Sequence, residues 1–167
     1  MRLQHLLRPL LVLLFAGLLG GCGFTLRGDA DLPSELQTLT LNTPNPNNEL
    51  SRELRRALVS NKVILVDGSE AGHYHLGVGG ESSRERVLSV NANARAGEYE
   101  LILEAPVQLS RDGQLAFGPE VFSVSRVYLA DPENAVAKNE EAQLIRAELR
   151  RELAQQILRR LQALDLQ

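Results

Sequence analysis

Glu98-Tyr99-Glu100-Leu101-Ile102-Leu103-Glu104-Ala105-Pro106-Val107-Gln108-Leu109 is the clearest alternating stretch of the chain. Tyr99, Leu101, Leu103, Ala105, Val107 and Leu109 share one parity, while Glu98, Glu100, Glu104 and Gln108 share the other. Successive side chains of a strand point to opposite faces, so the pattern predicts a long strand with one face on a core and one in water. Arg111-Asp112-Gly113 comes next as a hairpin turn, and Val121 to Tyr128 reads as a returning strand with Phe122, Val124 and Tyr128 on one face. Upstream, Tyr74, Leu76 and Val78 alternate, Gly79-Gly80 intervenes, and Val87 to Asn91 keeps Leu88 and Val90 on the same parity. Two glycines inside a strand-like run point to a bulge or to close approach of another backbone. With Asn91 to Gly97 as turn material, the middle of the chain is an antiparallel meander.

The flanks supply helices. Gln37 to Leu41 alternates as a short strand, and the turn-forming run Asn42 to Asn48 leads into a helix from about 49 to 60, capped by Asn47 or Asn48. Leu50, Leu54, Ala57 and Leu58 recur at helical spacing, with Arg52, Arg55 and Arg56 on other faces. Val63 to Val66 fits a short buried strand. Asp131-Pro132 offers a cap and a first-turn proline for a final helix reaching about Leu164, with Asn139 as a second possible start. Begun at Glu133, that helix is ~48 Å long. Its Ile145, Leu149, Leu153, Ile157 and Leu161 are spaced by four, with Leu144, Ala147, Ala154 and Leu158 off the stripe. A wide helix face following a twisted sheet accounts for this drift, and contact with a partner protein is the alternative. The expected fold class is α+β, a mostly antiparallel sheet of about four strands with two helices packed on it.

The amino terminus is of another kind. Arg2 and Arg8 precede an apolar run from Pro9 to Leu19 that is too short to span a bilayer comfortably, the pattern of a secretory signal. Leu19-Gly20-Gly21-Cys22 matches the bacterial lipobox, in which the cysteine takes a diacylglyceryl group and becomes the acylated first residue. The expected organisation is a signal peptide over 1–21, an acylated tether over 22–34 and one domain over 35–167. Gly23 in place of Asp after the cysteine favours the outer membrane over inner-membrane retention. Cys22 is the only cysteine, so the domain is expected to rest on packing and hydrogen bonds without a disulfide. The formal net charge is −3, and the signal segment holds arginines but no acids, so the processed chain is more acidic still. That balance disfavours nucleic acid and anionic surfaces as general partners.

Catalytic patterns are missing from the sequence. His73 and His75 could offer two ligands from one strand face, but a closed zinc site needs more, and they read as ordinary strand histidines. No metal and no cofactor beyond the covalent lipid on Cys22 is expected. Glu98, Glu100 and Glu104 could pair as acid and base but read better as the solvated face of an amphipathic strand. No nucleophile elbow, phosphate loop or dinucleotide fingerprint occurs. The basic residues are more suggestive. Arg84, Arg86 and Arg95 flank the expected hairpin tip, and Lys138, one of two lysines, opens the last helix. Together they could bind phosphates, since arginine offers a forked donor and lysine a point charge.

Cys22-Gly23-Phe24-Thr25-Leu26-Arg27-Gly28, Leu50-Ser51-Arg52, Glu98-Tyr99 and Ala135-Val136-Ala137-Lys138, in this order, resemble the LptE family of LPS-assembly lipoproteins. The resemblance covers nearly the whole processed chain; some relatives carry a long polar tail after the last helix. It implies a sheet with two helices, held as a plug in the outer-membrane β-barrel protein LptD. It also implies lipopolysaccharide as ligand, with Lys138 in the family-like segment as the leading contact and Arg84, Arg86 and Arg95 as further candidates. A generic outer-membrane lipoprotein adaptor or pilotin is the alternative, and an enzyme is not expected.

Overall fold

The computed structural model describes residues 32–68, 72–90, 96–129 and 134–166. Cys22, Arg95, the turn at 91–95 and Asp131-Pro132 lie outside the described residues. Strands β1 (Thr38–Asn42), β2 (Ile64–Leu65), β3 (Tyr74–Val78), β4 (Ser82–Val90), β5 (Ala96–Arg111) and β6 (Gln114–Leu129) form one sheet, with helices α1 (Glu49–Ser60) and α2 (Ala135–Gln162). The α+β class holds, but the sheet has six strands rather than about four, and it is mixed: β1 pairs parallel with both β2 and β3. α1 is the crossover that lets β1 and β2 run parallel.

β5 is the spine. Tyr99, Leu101, Leu103, Ala105, Val107 and Leu109 are all buried, as their parity requires. One edge of β5 pairs with β6 over 98–111, and the other pairs with β4 over 96–104 and with β3 over 107–111. β3 and β4 are thus two segments laid along the same edge, separated by Gly79-Gly80-Glu81. The reason sits across the gap. Gly79 N donates to Pro106 O at 2.8 Å, and a Cβ on Gly79 would stand 2.5 Å from Pro106 Cγ. A residue's N–H and C=O share one side of a strand, so Pro106 turns its donorless nitrogen to the point where the ladder is interrupted. The glycine pair is therefore a close approach, one of the two readings its sequence allowed.

The β5–β6 hairpin closes on Asp112-Gly113, both at positive φ (50° and 78°), the geometry of a two-residue type I′ turn. β6 starts at Gln114, before the expected Val121, because a register shift opposite Val107 to Leu109 accommodates Gly118-Pro119 without ending the strand. β4 likewise starts at Ser82 instead of Val87. Leu88, expected on the buried parity, is 44 % exposed, because it lies at a bulge of a strand with no described neighbour on its outer edge.

α1 is capped by Asn48, whose side chain accepts from Ser51 N at 2.7 Å, and it buries Leu50, Leu54, Ala57 and Leu58. α2 is capped by Asn134, whose side chain accepts from Ala137 N at 3.0 Å, so the helix begins at Ala135, neither at Glu133 nor at Asn139. Its 28 residues give ~42 Å of helix. Ala142, Ala154 and Leu158 are buried with the stripe residues, while Leu144 stays exposed. The broad apolar face comes from packing on α1 as well as on β5 and β6. One apolar cluster joins both helices to the sheet and includes Leu32 and Leu36, so packing onto the domain begins within the segment assigned to the tether. The buried hydroxyls are satisfied: Thr40 donates to Gly68 O, and Ser51 to Asn45 O.

Candidate functional site

α2 and β4 face one another across a polar seam. Glu85 points from β4 toward the helix side of the sheet, opposite Leu101 in register. Lys138 Nζ donates to Glu85 Oε1 at 2.6 Å, and the Tyr128 hydroxyl donates to Glu85 Oε2 at 2.5 Å. The Lys138 ammonium also stands 3.7 Å from the centroid of the Tyr99 ring, and Tyr99 stacks on Tyr128 with centroids 5.5 Å apart. Further along α2, Arg146 Nε donates to Ser83 Oγ at 3.4 Å. Arg150 then forks onto Glu81 at 2.7 to 3.0 Å and also reaches Glu49 of α1. The periods match: four helical residues rise ~6 Å and two strand residues ~6.6 Å, so Arg146 and Arg150 keep step with Ser83 and Glu81.

Charge is shared tightly in this seam. The Lys138 ammonium is held above its ordinary pKa by the hydrogen bond to Glu85, which outweighs its partial burial. Burial pushes the Glu85 carboxyl up, but hydrogen bonds from Lys138 and Tyr128 and the charges of Lys138 and Arg146 together bring it below the usual value. Burial and then Glu85 raise the Tyr128 phenol, which therefore stays protonated as a donor. Lys138 is not sealed in, since its side chain is 24 % exposed and that of Glu85 26 %.

The expected basic cluster is divided. Arg84 and Arg86 lie on the opposite face of the sheet, Arg84 on Glu104 at 2.8 Å and Arg86 on Glu100. The cause is the strand period: Glu85 points to Lys138, so its two neighbours point away. Ser123 and Ser125 complete these ladders by donating to Glu104 and Glu100. Hydrogen bonds from Ser125 and Arg86 hold the Glu100 carboxyl below its usual pKa. Glu100 and Glu104 are thus covered by arginines and serines rather than freely solvated. His75 is half-buried on β3, and among the described residues no three His, Cys, Asp or Glu side chains gather to hold a metal ion.

Glu85, Arg146 and the tyrosine pair escape a reading of the sequence alone. The available signal is parity: an acid between two arginines, in register with a strand whose opposite positions are apolar, must face the core side.

A family model for Lipopolysaccharide-assembly proteins, LptE, matches residues 36–161. The LPS-assembly lipoprotein LptE of Yersinia pestis is 34 % identical over 160 residues, covering 95 % of this chain and 77 % of the relative. The chain belongs to the LptE family. Among solved structures, rare lipoprotein B from Shewanella oneidensis is similar to this LptE-family fold with a TM-score of 0.67 at 30 % identity, over 73 % of this chain and 91 % of that one. A minor lipoprotein from Acinetobacter baumannii gives a TM-score of 0.64 at 25 % identity, over 77 % and 92 %.

Proposed function

We propose that this LptE-family protein is a non-catalytic, lipid-anchored subunit of the outer-membrane translocon that delivers lipopolysaccharide to the cell surface. In this reading it sits as a plug and assembly partner in the lumen of the LptD β-barrel, held from the periplasmic side by acylated Cys22. Two or more acyl chains anchor a protein stably where one holds it only marginally.

The ligand half of the reading rests on Lys138, a partly exposed ammonium beside Glu85 of β4 and over the Tyr99 ring of the Tyr99–Tyr128 stack. In it, Lys138 engages the lipid A phosphates or the acidic inner core. Arg84 and Arg86 belong to the other face, where their ladders suit contact with a polar barrel wall better than the same ligand. That face of the β4-β5-β6 meander interleaves the charged ladders with exposed Val121, Val127 and Leu129.

The test of the assembly is to extract the acylated protein in mild detergent and identify what accompanies it. An LptD-like barrel at near-equal amounts is expected, and its absence moves the reading to an adaptor or pilotin for another membrane complex. For the ligand, Lys138→Asp is expected to weaken lipopolysaccharide binding by the purified protein while leaving barrel capture intact. Unchanged lipopolysaccharide affinity removes Lys138 from the site.

A further inference from the structure

Lys138 already has an anion. Glu85 Oε1 lies 2.6 Å from Nζ, and the Tyr99 ring centroid 3.7 Å from it. An external anion that binds the ammonium therefore competes with a carboxylate for it. The displaced group is not left stranded. Its second oxygen accepts the Tyr128 hydroxyl at 2.5 Å, and Arg146 stands close enough to lower its pKa by charge. From α2, β4, β5 and β6 respectively, the groups around Glu85 are Lys138 and Arg146, Ser83, Tyr99, and Tyr128.

We propose that Glu85 is an internal competitor for Lys138 that sets the affinity threshold of the site, which phosphomonoesters clear and anions of single charge, such as phosphodiester lipids, do not. This inference rests on the assignment of Lys138 to the ligand site and adds the threshold a ligand must clear there. A phosphomonoester carries a charge of about −1.5 to −2 near neutral pH and three acceptor oxygens, so it outcompetes a carboxylate of charge −1. A phosphodiester or a free carboxylate offers the ammonium no more charge than Glu85 does, and Glu85 is already in place. Phosphodiester phospholipids surround any membrane-anchored protein, so a bare lysine on a tyrosine shelf would pair with them indiscriminately. A resident carboxylate lowers the affinity of every competing anion by the same factor, so the weaker ligands fall below the level at which they bind while the stronger one remains above it. Tyr128 is a positioning residue in this scheme: it touches Glu85 and not the ligand, and it retains the carboxylate after Lys138 has been released.

The experiment compares binding of bisphosphorylated lipid A and of phosphatidylglycerol, each presented in neutral detergent micelles, to the acylated protein. Wild type, Glu85→Gln, Tyr128→Phe, Lys138→Ala and the Glu85→Gln/Lys138→Ala double variant are tested, with thermal unfolding confirming that each is folded. Glu85→Gln is expected to tighten phosphatidylglycerol and lipid A binding alike, each by about fivefold, the scale of a partly exposed ion pair, so that phosphatidylglycerol crosses the threshold while the ratio of the two affinities holds. Tyr128→Phe is expected to weaken lipid A binding, because the released carboxylate loses its second partner. Lys138→Ala should abolish the preference and cancel the effect of Glu85→Gln in the double variant. A gain of affinity in Glu85→Gln is something structural damage would not produce. If Lys138→Ala weakens lipid A binding while Glu85→Gln tightens neither ligand, the competitor role is overturned and the ligand site stands. If Lys138→Ala binds lipid A as wild type does, both fall.

Discussion

β3 and β4 lie end to end along the same edge of the same strand, yet they are held by opposite means. β3 buries Tyr74, Leu76 and Val78 in the apolar cluster, whereas β4 is exposed from Ser82 to Leu88 and meets α2 through Lys138–Glu85 and Arg146–Ser83, with Arg150–Glu81 just before its first residue. The backbone ladder with β5 is common to both. Pairing with a buried strand is therefore not enough to bury its partner. The next element outward decides the matter: β3 is flanked by β1, while no described strand pairs with the outer edge of β4. Hydrophobic fixation is roughly proportional to area removed from water and is not weakened by charge screening, while ion-pair fixation is. The domain thus joins a rigid half and a half whose attachment responds to charge, with the break at Gly79 between them.

The two halves separate most clearly under truncation. Leu76→Ala, at a fully buried position, is expected to cost about 3 kcal/mol in denaturant unfolding, and Leu88→Ala on β4 less than about 0.5 kcal/mol. Similar losses at both sites would mean that β4 shares the core after all. Next in size is the inner end of the seam, where the Arg150 and Glu81 side chains are each 16 % exposed. Arg150→Met strands Glu81 and is expected to cost on the order of 2 kcal/mol, with Glu81→Gln in the same chain restoring part of it in a double-mutant cycle.

The smallest effect concerns conditions rather than residues. Because the folded Glu85 carboxyl titrates below its ordinary 4.5, its contribution to stability is complete above that value and is lost as the pH falls through the lower folded value. Amide protection, corrected for the intrinsic exchange rate at each pH, is therefore expected to fall in β4, and not in β3, on acidification below about pH 4.5 or on raising salt toward 1 M, by an amount worth at most about 1 kcal/mol. Equal protection of the two strands across that range would contradict an electrostatic attachment of β4.

Much of the rigid half is legible in the sequence because its signals are local. The β5 parity, the Asp112-Gly113 turn, and the Leu50, Leu54 and Leu58 spacing each act within a few residues. Parallel pairing of β1 is not legible, since a strand's side chains record which face is buried but not the direction of its neighbours. β4 escapes for a different reason: Ser82-Ser83-Arg84-Glu85-Arg86 has no apolar alternation, and its extended form is imposed by the ladder with β5. At the candidate site, Lys138 stands out through its family-like segment. Its partner Glu85, 53 residues earlier, becomes visible only once the fold sets β4 beside α2. The arginines at 84 and 86 look like one cluster with it because sequence proximity to a hairpin tip carries no statement about faces.

The Leu39–Tyr74–Arg111 row also fixes a direction. Residues 32–38 feed into β1 at that row, next to the Asp112-Gly113 turn, whereas Tyr99 and Lys138 lie about twelve strand residues further along β5, roughly 40 Å by contour. The domain therefore has two poles, one where the chain arrives and one where the lysine waits. The entry of the chain and the lysine thus stand at opposite ends of β5, as the grip and the tip of a probe.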